Sequence, residues 1–439
     1  MEIRTLLKTR FEHILNERRS RQSLTERNLK KFRKLVAHAN STSPYYARII
    51  KKNSIDITAC TPGDFPVLTK RDVMENFDHI ITVPHMTKRS IADFLAASKD
   101  PLALYDGKYY ILHTSGSSGE IGYFVYSRQD WARGFAHVLR IHDFKLRRKK
   151  LAFFGATKGH FAGISFVTTG RRSLLKLLYR IAAFDINSPL QPVLDGLNAF
   201  QPDILTGYPS ALTILARKQE SGELAISPTS LESSGEPVAG DDGAIIQKAF
   251  KTPLVNLYSC TEHMFMGVAK PGASGMYVFE DDLIFNFRDD HTCVTNLFNY
   301  TLPLIRYRME DVLRPLPDKV GILPYTMVRE IVGRMEQAPL FLNRHGIEDF
   351  ISPHIINEFH VKHLRRFQMQ LLDKTSFLFK ACFEPGIRDE QKAEASRNIQ
   401  KRMREILAEK EMDTVTFTIK EFNDLCADER TGKFKLIVS

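Results

Sequence analysis

From about residue 150 to residue 330 the chain alternates short apolar runs with amphipathic stretches. The runs "LAFFGA" (151–156), "PDILTG" (202–207), "PLVNLYS" (253–259) and "VTNLFN" (294–299) have the length and character of strands. Between several of them lie stretches with helical spacing, Ser210–Gln219 and Asp241–Phe250. Strands separated by helices can lie side by side in one direction, because a parallel neighbour is reached only by a long crossover. The alternation therefore predicts an α/β fold, a mostly parallel sheet covered by helices, with ligands at the loops that leave the strand ends.

The two flanks read differently. Residues 1–50 are helical in pattern: Leu7, Phe11, Ile14 and Leu15 recur at helical spacing, and the segment 25–39 puts Leu29, Phe32, Leu35, Val36 and Ala39 on one face. In the last hundred residues "FQMQLL" and "FLFKACF" flank "DKTS", which signals a hairpin. A charged helix over Asp389–Lys410 follows, and then a strand with Val415, Phe417 and Ile419 on one face. These features predict a large N-terminal domain, 1–333, and a small α+β domain, 334–439, hinged near "VGRMEQ" (332–337). A chain of 439 residues is long enough for more than one core.

With 43% hydrophobic and 26% charged residues the composition is that of a globular protein. No apolar run approaches the roughly 20 residues that span a bilayer. The opening "MEIRTLLKTRFEHILNERRSRQ" has no uncharged core of the kind a secretory signal needs, so a cytoplasmic location is expected. Cys60, Cys260, Cys293, Cys382 and Cys426 are scattered and form no CxxC pair, which predicts neither a disulfide framework nor a thiolate zinc site. The net charge of +11 is concentrated in the first fifty residues and in "KLRRKK" (145–150). It is not drawn out in a stripe interleaved with aromatic residues, so it reads as solvated basic faces, with neither a nucleic acid nor a membrane as partner. A polyanionic small molecule such as a nucleotide or coenzyme A suits the same charge.

One loop stands out. "ILHTSGSSGEIGYFVYS" (111–127) sets small hydroxyl-bearing and glycine residues between two strand-like runs, as in a hairpin held at both ends. Backbone N–H groups and hydroxyls in such a loop can converge on an oxyanion. It is not the P-loop of nucleotide hydrolases, because Gly119 is not followed by Lys-Ser/Thr.

Further along come "SSGEP" (233–237), "YSCTE" (258–262), "LPLIRYRMEDV" (302–312), Gly333-Arg334 and "RTGK" (430–433). This order resembles the adenylate-forming enzymes, and specifically their phenylacetate-CoA ligase branch. "RKLVAHANSTSPYYARI", "FPVLTKRDV" and "FQPDILTGYPSALTILA" are similar to segments of the same branch, so the likeness spans nearly the whole chain. The resemblance implies an AMP-forming acid-thiol ligase that uses ATP, Mg²⁺, a small carboxylic acid and coenzyme A, and it admits a homodimer. It implies that Thr114, Ser115, Gly116, Ser117, Ser118 and Gly119 hold the β- and γ-phosphates. Gly235, Glu236 and Pro237 would lie along adenine and Tyr258 would stack on it. Thr261 would bond the α-phosphate or the acid, Glu262 would ligate Mg²⁺, and Asp311 would accept both ribose hydroxyls. Arg334 would stand at the joint and Lys433 at the α-phosphate. Phe154, His160 and Tyr208 would line the acid pocket, with His263 beneath the site.

The chain departs from the branch in two places. Met335-Glu336-Gln337 stands where an Asp-Asp pair is usual, leaving Glu336 as the hinge carboxylate, and Glu120 follows the loop where lysine is common. Two alternatives remain open at this point: transfer of the acyl group to an amine or a carrier protein, and a nucleotide-binding homologue without turnover.

Overall fold

The computed structural model describes residues 2–114, 121–141, 147–238, 241–269, 274–309, 311–317, 321, 323–329, 338–357, 359, 361–425 and 436–438. The chain begins with helices α1 (Ile3–Asn16), α2 (Arg21–Thr42) and α3 (Pro44–Lys52), then the shorter α4 (Lys70–Glu75), α5 (Phe77–Ile80) and α6 (Lys88–Ala97). Ser20 and Ser43 cap α2 and α3 by accepting from the backbone N–H of Ser23 and Tyr46, and Pro44 opens α3 where a missing N–H costs nothing. Strands β1 (Leu104–Tyr105), β2 (Tyr109–His113) and β3 (Tyr123–Ser127) form an antiparallel sheet, and α7 (Arg128–Phe135) follows. The register Tyr109↔Ser127 to His113↔Tyr123 makes the Gly/Ser segment the tip of a hairpin, as its flanks predict.

The main sheet is then laid down by alternation: β4 (Lys149–Gly155), α8 (Ala162–Arg172), β5 (Tyr179–Asp185), α9 (Leu190–Phe200), β6 (Ile204–Gly207), α10 (Pro209–Ser221), β7 (Ser230–Ser233), α11 (Asp242–Phe250) and β8 (Leu254–Cys260). These five strands are parallel, in the order β8-β7-β6-β4-β5. β9 (Met264–Ala269) and β10 (Met276–Val278) continue the sheet antiparallel. β11 (Leu283–Phe287), β12 (Thr292–Asn296) and β13 (Tyr307–Met309) form a separate antiparallel sheet, while β14 (Pro315–Leu316) and β15 (Met327–Val328) return to the edge beside β10. The run 294–299 is thus not a strand of the parallel array. Only four residues join β11 to β12, too few for a parallel crossover.

The C-terminal part comprises the hairpin β16 (Leu340–Leu342) and β17 (Glu348–Phe350), α12 (Pro353–Asn357), then β18 (Leu364–Asp373), β19 (Ser376–Phe383), α13 (Asp389–Glu409), β20 (Thr416–Glu421) and β21 (Ile437–Val438). The sheet order is β20-β19-β18-β21. Asp373 fixes the β18–β19 turn by accepting from the backbone N–H of Thr375 at 2.6 Å and from its hydroxyl at 2.8 Å. Phe341, Phe350 and Ile351 share one buried cluster with Phe154, Leu190 and Leu205 of the main sheet and its helices. The segment expected to join the two parts, 332–337, lies outside the described residues.

Helix α1 is turned the other way from its apolar periodicity. Leu7 and Phe11 are 60% and 62% exposed, and the face that is buried carries Leu6, Thr9, His13 and Asn16. It meets a buried charge cluster. His13 Nε2 stands 2.7 Å from Asp282 Oδ2, His137 stacks on His13 at 4.3 Å, Lys31 donates to Asp282 Oδ1 at 2.8 Å, and Arg140 pairs with Asp281. Burial, reinforced by the Arg140 charge, pushes the His13 pKa down to about 3 in spite of Asp282, and burial lowers that of His137 as well. In the unfolded chain both imidazoles take a proton below a pKa of about 6.5. The unfolded state therefore binds more protons between those values, and stability is complete above about pH 6.5 and falls as the pH drops toward 3. At pH 5 His13 accounts for a loss of about 2 kcal/mol. The expected result is a melting temperature that declines on acidification from pH 7 to pH 5, with a shallower decline in His13→Gln; an unchanged slope in that variant would separate α1 from the acid response.

Candidate active site

The C-terminal ends of the parallel strands meet at one edge, where α/β sheets bind ligands. β8 leads into β9 through a three-residue loop, Thr261–Glu262–His263, closed by the pair Cys260↔Met264. Met264, fully buried, adopts φ +60° to close it. A bulky residue is held in the left-handed region only when its surroundings enforce it, and such strain concentrates at functional sites. Three tyrosines fix this loop and its neighbours. Tyr126 of β3 donates to the carbonyl of Thr261 at 2.7 Å, Tyr307 of β13 donates to Glu262 Oε1 at 3.4 Å, and Tyr258 at the end of β8 donates to Asp311 Oδ2 at 3.1 Å. Burial, with the Asp311 carboxylate adding to it, raises the Tyr258 pKa well above the ordinary tyrosine value, so this phenol stays protonated and donates. Thr261, Glu262 and Asp311 are part-exposed at this edge, and their acceptor oxygens suit hydroxyls or a hard cation.

"LPLIRYRMEDV" is held in place from the N-terminal side. Leu68 N–H donates to the carbonyl of Arg306 and Arg308 N–H to that of Leu68, at 3.1 and 2.9 Å, while Arg306 Nη1 donates to the carbonyl of Phe65 at 2.6 Å. The segment "FPVLTKRDV" is thereby the clamp that sets Tyr307 and Asp311.

The hairpin loop starts from a closed neck. Thr114 N–H donates to the Gly122 carbonyl, and Gly122 N–H donates to Thr114 Oγ1, each at 2.9 Å. A Cβ on Gly122 would stand 3.0 Å from Lys70 Cε, so the side chain of Lys70 runs along this neck. The sequence offers no lysine inside the loop, and Lys70, some fifty residues upstream in "FPVLTKRDV", carries no expected role there. Ser115, Gly116, Ser117, Ser118 and Gly119 lie outside the described residues, as do Glu120, Arg334, Glu336 and Lys433.

Gly235 has φ +83°, and a Cβ there would come within 2.9 Å of the Tyr208 ring, so only glycine lets this turn cross the ring so closely. Glu236 accepts from Ser210 Oγ at 2.6 Å and from its N–H at 3.3 Å. Its carboxylate thus sits on the N-terminus of α10, where the helix dipole favours a negative charge, and ties "SSGEP" to Tyr208 with Pro237 following.

Two expected pocket residues are displaced. Phe154 is fully buried and packs against Phe350 in the cluster that joins the two parts of the chain. Successive side chains of a strand point to opposite faces, so it is Phe153 that meets Tyr208, edge-on at 6.5 Å. His160 is also buried; its Nε2 lies 3.0 Å from Ser98 Oγ and its ring packs edge-on to Phe94. Burial lowers its pKa. The histidine next to the loop is His113, whose ring lies 4.4 Å from that of Phe161 and whose N–H bonds the His160 carbonyl. His263 is fully buried edge-on to Tyr307, and burial brings its pKa down to about 3.

No family model matches the chain, and no curated protein matches it in sequence. Solved structures do match it in three dimensions. The 2-hydroxyisobutyryl-CoA ligase in complex with 2-HIB-AMP and CoA in the thioesterification state superposes with a TM-score of 0.58 at 17% identity, over 94% of this chain and 89% of that one. The same ligase in an open conformation with 2-HIB-AMP and CoA gives 0.56 at 16% identity, over 93% and 90%. The chain therefore shares the fold of this CoA ligase.

Proposed function

We propose that the protein joins a carboxylic acid to a thiol in two steps, through an acyl-adenylate. A carboxylate oxygen attacks the α-phosphorus of ATP while the bond to pyrophosphate breaks. A thiolate, that of coenzyme A, then attacks the acyl carbon and AMP leaves. The observation that carries this reading is the bonding of the Thr261–Glu262 loop to the Gly/Ser hairpin through Tyr126 and to β13 through Tyr307, with Asp311 held by Tyr258, segments whose order along the chain resembles the ligases. The fold is shared with a ligase whose structure holds 2-HIB-AMP and CoA, which supports the same pair of steps.

In this reading Asp311 accepts the ribose hydroxyls beside its bond to Tyr258, and the Tyr258 ring, Gly235 and Pro237 border the adenine. The hydroxyl of Thr261 bonds the α-phosphate, and Lys70 brings positive charge to the neck of the phosphate loop. Glu262 offers one oriented carboxylate at an open edge, a donor that suits Mg²⁺ shared with phosphate oxygens. The metal supplies charge neutralisation there. Residues 1–333 form the adenylating domain and 334–439 the mobile one, which carries Lys433 to the α-phosphate. Phe153 and Tyr208 favour an aryl acid, as in the phenylacetate-CoA ligase branch.

Pyrophosphate exchange into ATP, measured across aryl, fatty and amino acids, tests the first step. At least one aryl acid is expected to stimulate it, and coenzyme A to convert that acid to its thioester. ATP binding with no acid-stimulated exchange would leave a nucleotide-binding protein instead. Asp311→Ala removes the acceptor for two hydroxyls and is expected to weaken ATP binding by on the order of 2–4 kcal/mol with acid preference unchanged. Unchanged ATP affinity by calorimetry would detach Asp311 from the ribose.

A further inference from the structure

The basic run that ends at Lys150 has no place in the site described above. It enters β4 at the N-terminal end of the parallel strands, whereas the candidate active site lies at their C-terminal ends, about 20 Å away along a seven-residue strand. Lys149 pairs with Tyr179 and Lys150 with Arg180 of β5, the edge strand, and Lys149 N–H donates to the carbonyl of Leu178. This register brings the run beside the 3-10 turn Leu174–Leu177. The turn is pinned by buried Leu175, with Ser173 Oγ accepting from its N–H at 3.2 Å, and it holds Leu174 58% and Leu177 66% exposed. Lys176 on this turn, Arg147 and Arg148 leading into β4 and Arg180 of β5 are exposed as well. Arg180 and Lys150 flank the Phe200 ring at 5.5 and 6.0 Å. Among the described residues the acid at this patch is Asp203, 3.6 Å from Arg147.

We infer that this patch docks the protein on an anionic lipid surface. The cations match phosphate-bearing headgroups, and the two projecting leucines match the acyl boundary beneath them. A second copy of the chain would oppose like charges. A nucleic acid offers nothing for paired leucines, and among the described residues the aromatic ring at this patch, Phe200, is half-buried between Arg180 and Lys150. The orientation leaves the active-site edge facing away from the lipid, open to soluble substrates.

Co-sedimentation of the full chain with phosphatidylcholine vesicles, with and without phosphatidylserine, tests the inference. Binding is expected to require phosphatidylserine and to weaken as salt is raised. Arg147→Glu/Arg148→Glu/Lys176→Glu should lower the affinity by about 100-fold or more. Leu174→Ser/Leu177→Ser keeps every charge and should lower it by about tenfold. Thermal melting of both variants separates lost binding from lost folding, and the salt dependence of the unaltered protein needs no variant. Failure to bind phosphatidylserine vesicles, or equal binding to phosphatidylcholine alone, would overturn the proposal. Binding that ignores the leucine pair and is competed by duplex DNA would overturn it in favour of a nucleic acid.

Discussion

Lys410→Ala is expected to lower the unfolding free energy by about 3–5 kcal/mol, the cost of stranding one member of a buried ion pair. Lys410 follows α13, and its ammonium is carried out of water onto the N-terminal part of the chain. It lies 3.0 Å from Asp349 Oδ1 and donates to the carbonyls of Ser188 at 2.8 Å and Ile186 at 3.3 Å, with the Phe350 ring at 4.7 Å. Both charged side chains are 1% exposed. Burial lowers the Lys410 pKa in spite of Asp349. Asp349 also holds the start of α9, where its Oδ2 accepts from Leu190 N–H at 2.8 Å. One carboxylate from the β16–β17 hairpin and one ammonium from the end of α13 thus grip the β5–α9 connection. Removing the lysine leaves the buried carboxylate with backbone donors and no countercharge. Denaturant unfolding read alongside limited proteolysis measures the effect, and early cleavage between the two parts is expected in the variant. Lys410→Met/Asp349→Asn removes both charges and should recover much of the loss, since neither partner is then left alone. A loss below about 1 kcal/mol in the single variant would show that the apolar cluster alone holds the two parts together.

What the sequence disclosed, and what it hid, follows from the range of the interactions. The parallel array, the hairpin at 111–127 and the unit built on "DKTS" rest on periodicity and turn chemistry between near neighbours, and these are legible in a single chain. The run 294–299 has strand character, yet its direction depends on loop length, which strand character does not encode. Helix α1 has apolar spacing along Leu7, Phe11 and Ile14, but its inward face is chosen by Asp281 and Asp282, more than 260 residues away. Phe153 and Phe154 look alike because β4 is buried on both faces, so no polar alternation tells which side meets Tyr208. The motifs singled out Thr261, Glu262 and Asp311. They did not show the bonds from Tyr126 and Tyr307, nor that Tyr258, expected on adenine, donates to Asp311, because these contacts act across 135, 45 and 53 residues. Lys70 escaped for the same reason, since what brings it to the loop is the docking of α4 against the hairpin.

Glu262→Gln is expected to reduce acid-dependent pyrophosphate exchange by at least about 100-fold, because metal-assisted charge neutralisation is worth several kcal/mol at a transferring phosphoryl group. The substitution is chosen to change charge and little else. Tyr307 donates its hydroxyl to Glu262 Oε1, and a glutamine oxygen at the same place accepts the same bond. The loop should keep its shape, since its strained closure at Met264 and its bond from Tyr126 to the Thr261 carbonyl do not involve this side chain. What would be lost is the proposed hold of the carboxylate on Mg²⁺, for which a neutral amide is a poor ligand beside a triphosphate. Calorimetry gives a readout apart from turnover: ATP should bind the unaltered protein more tightly with Mg²⁺ than without it, and this difference should shrink in the variant. Tyr307→Phe offers the contrast. It leaves the carboxylate in place and removes one long bond of 3.4 Å that orients it, so the loss should stay within about tenfold, near 1 kcal/mol. Near-unaltered exchange in a folded Glu262→Gln protein would take Glu262 out of the metal site. Equal losses in the two variants would instead mean that the loop's position, and not its charge, is what the reaction needs.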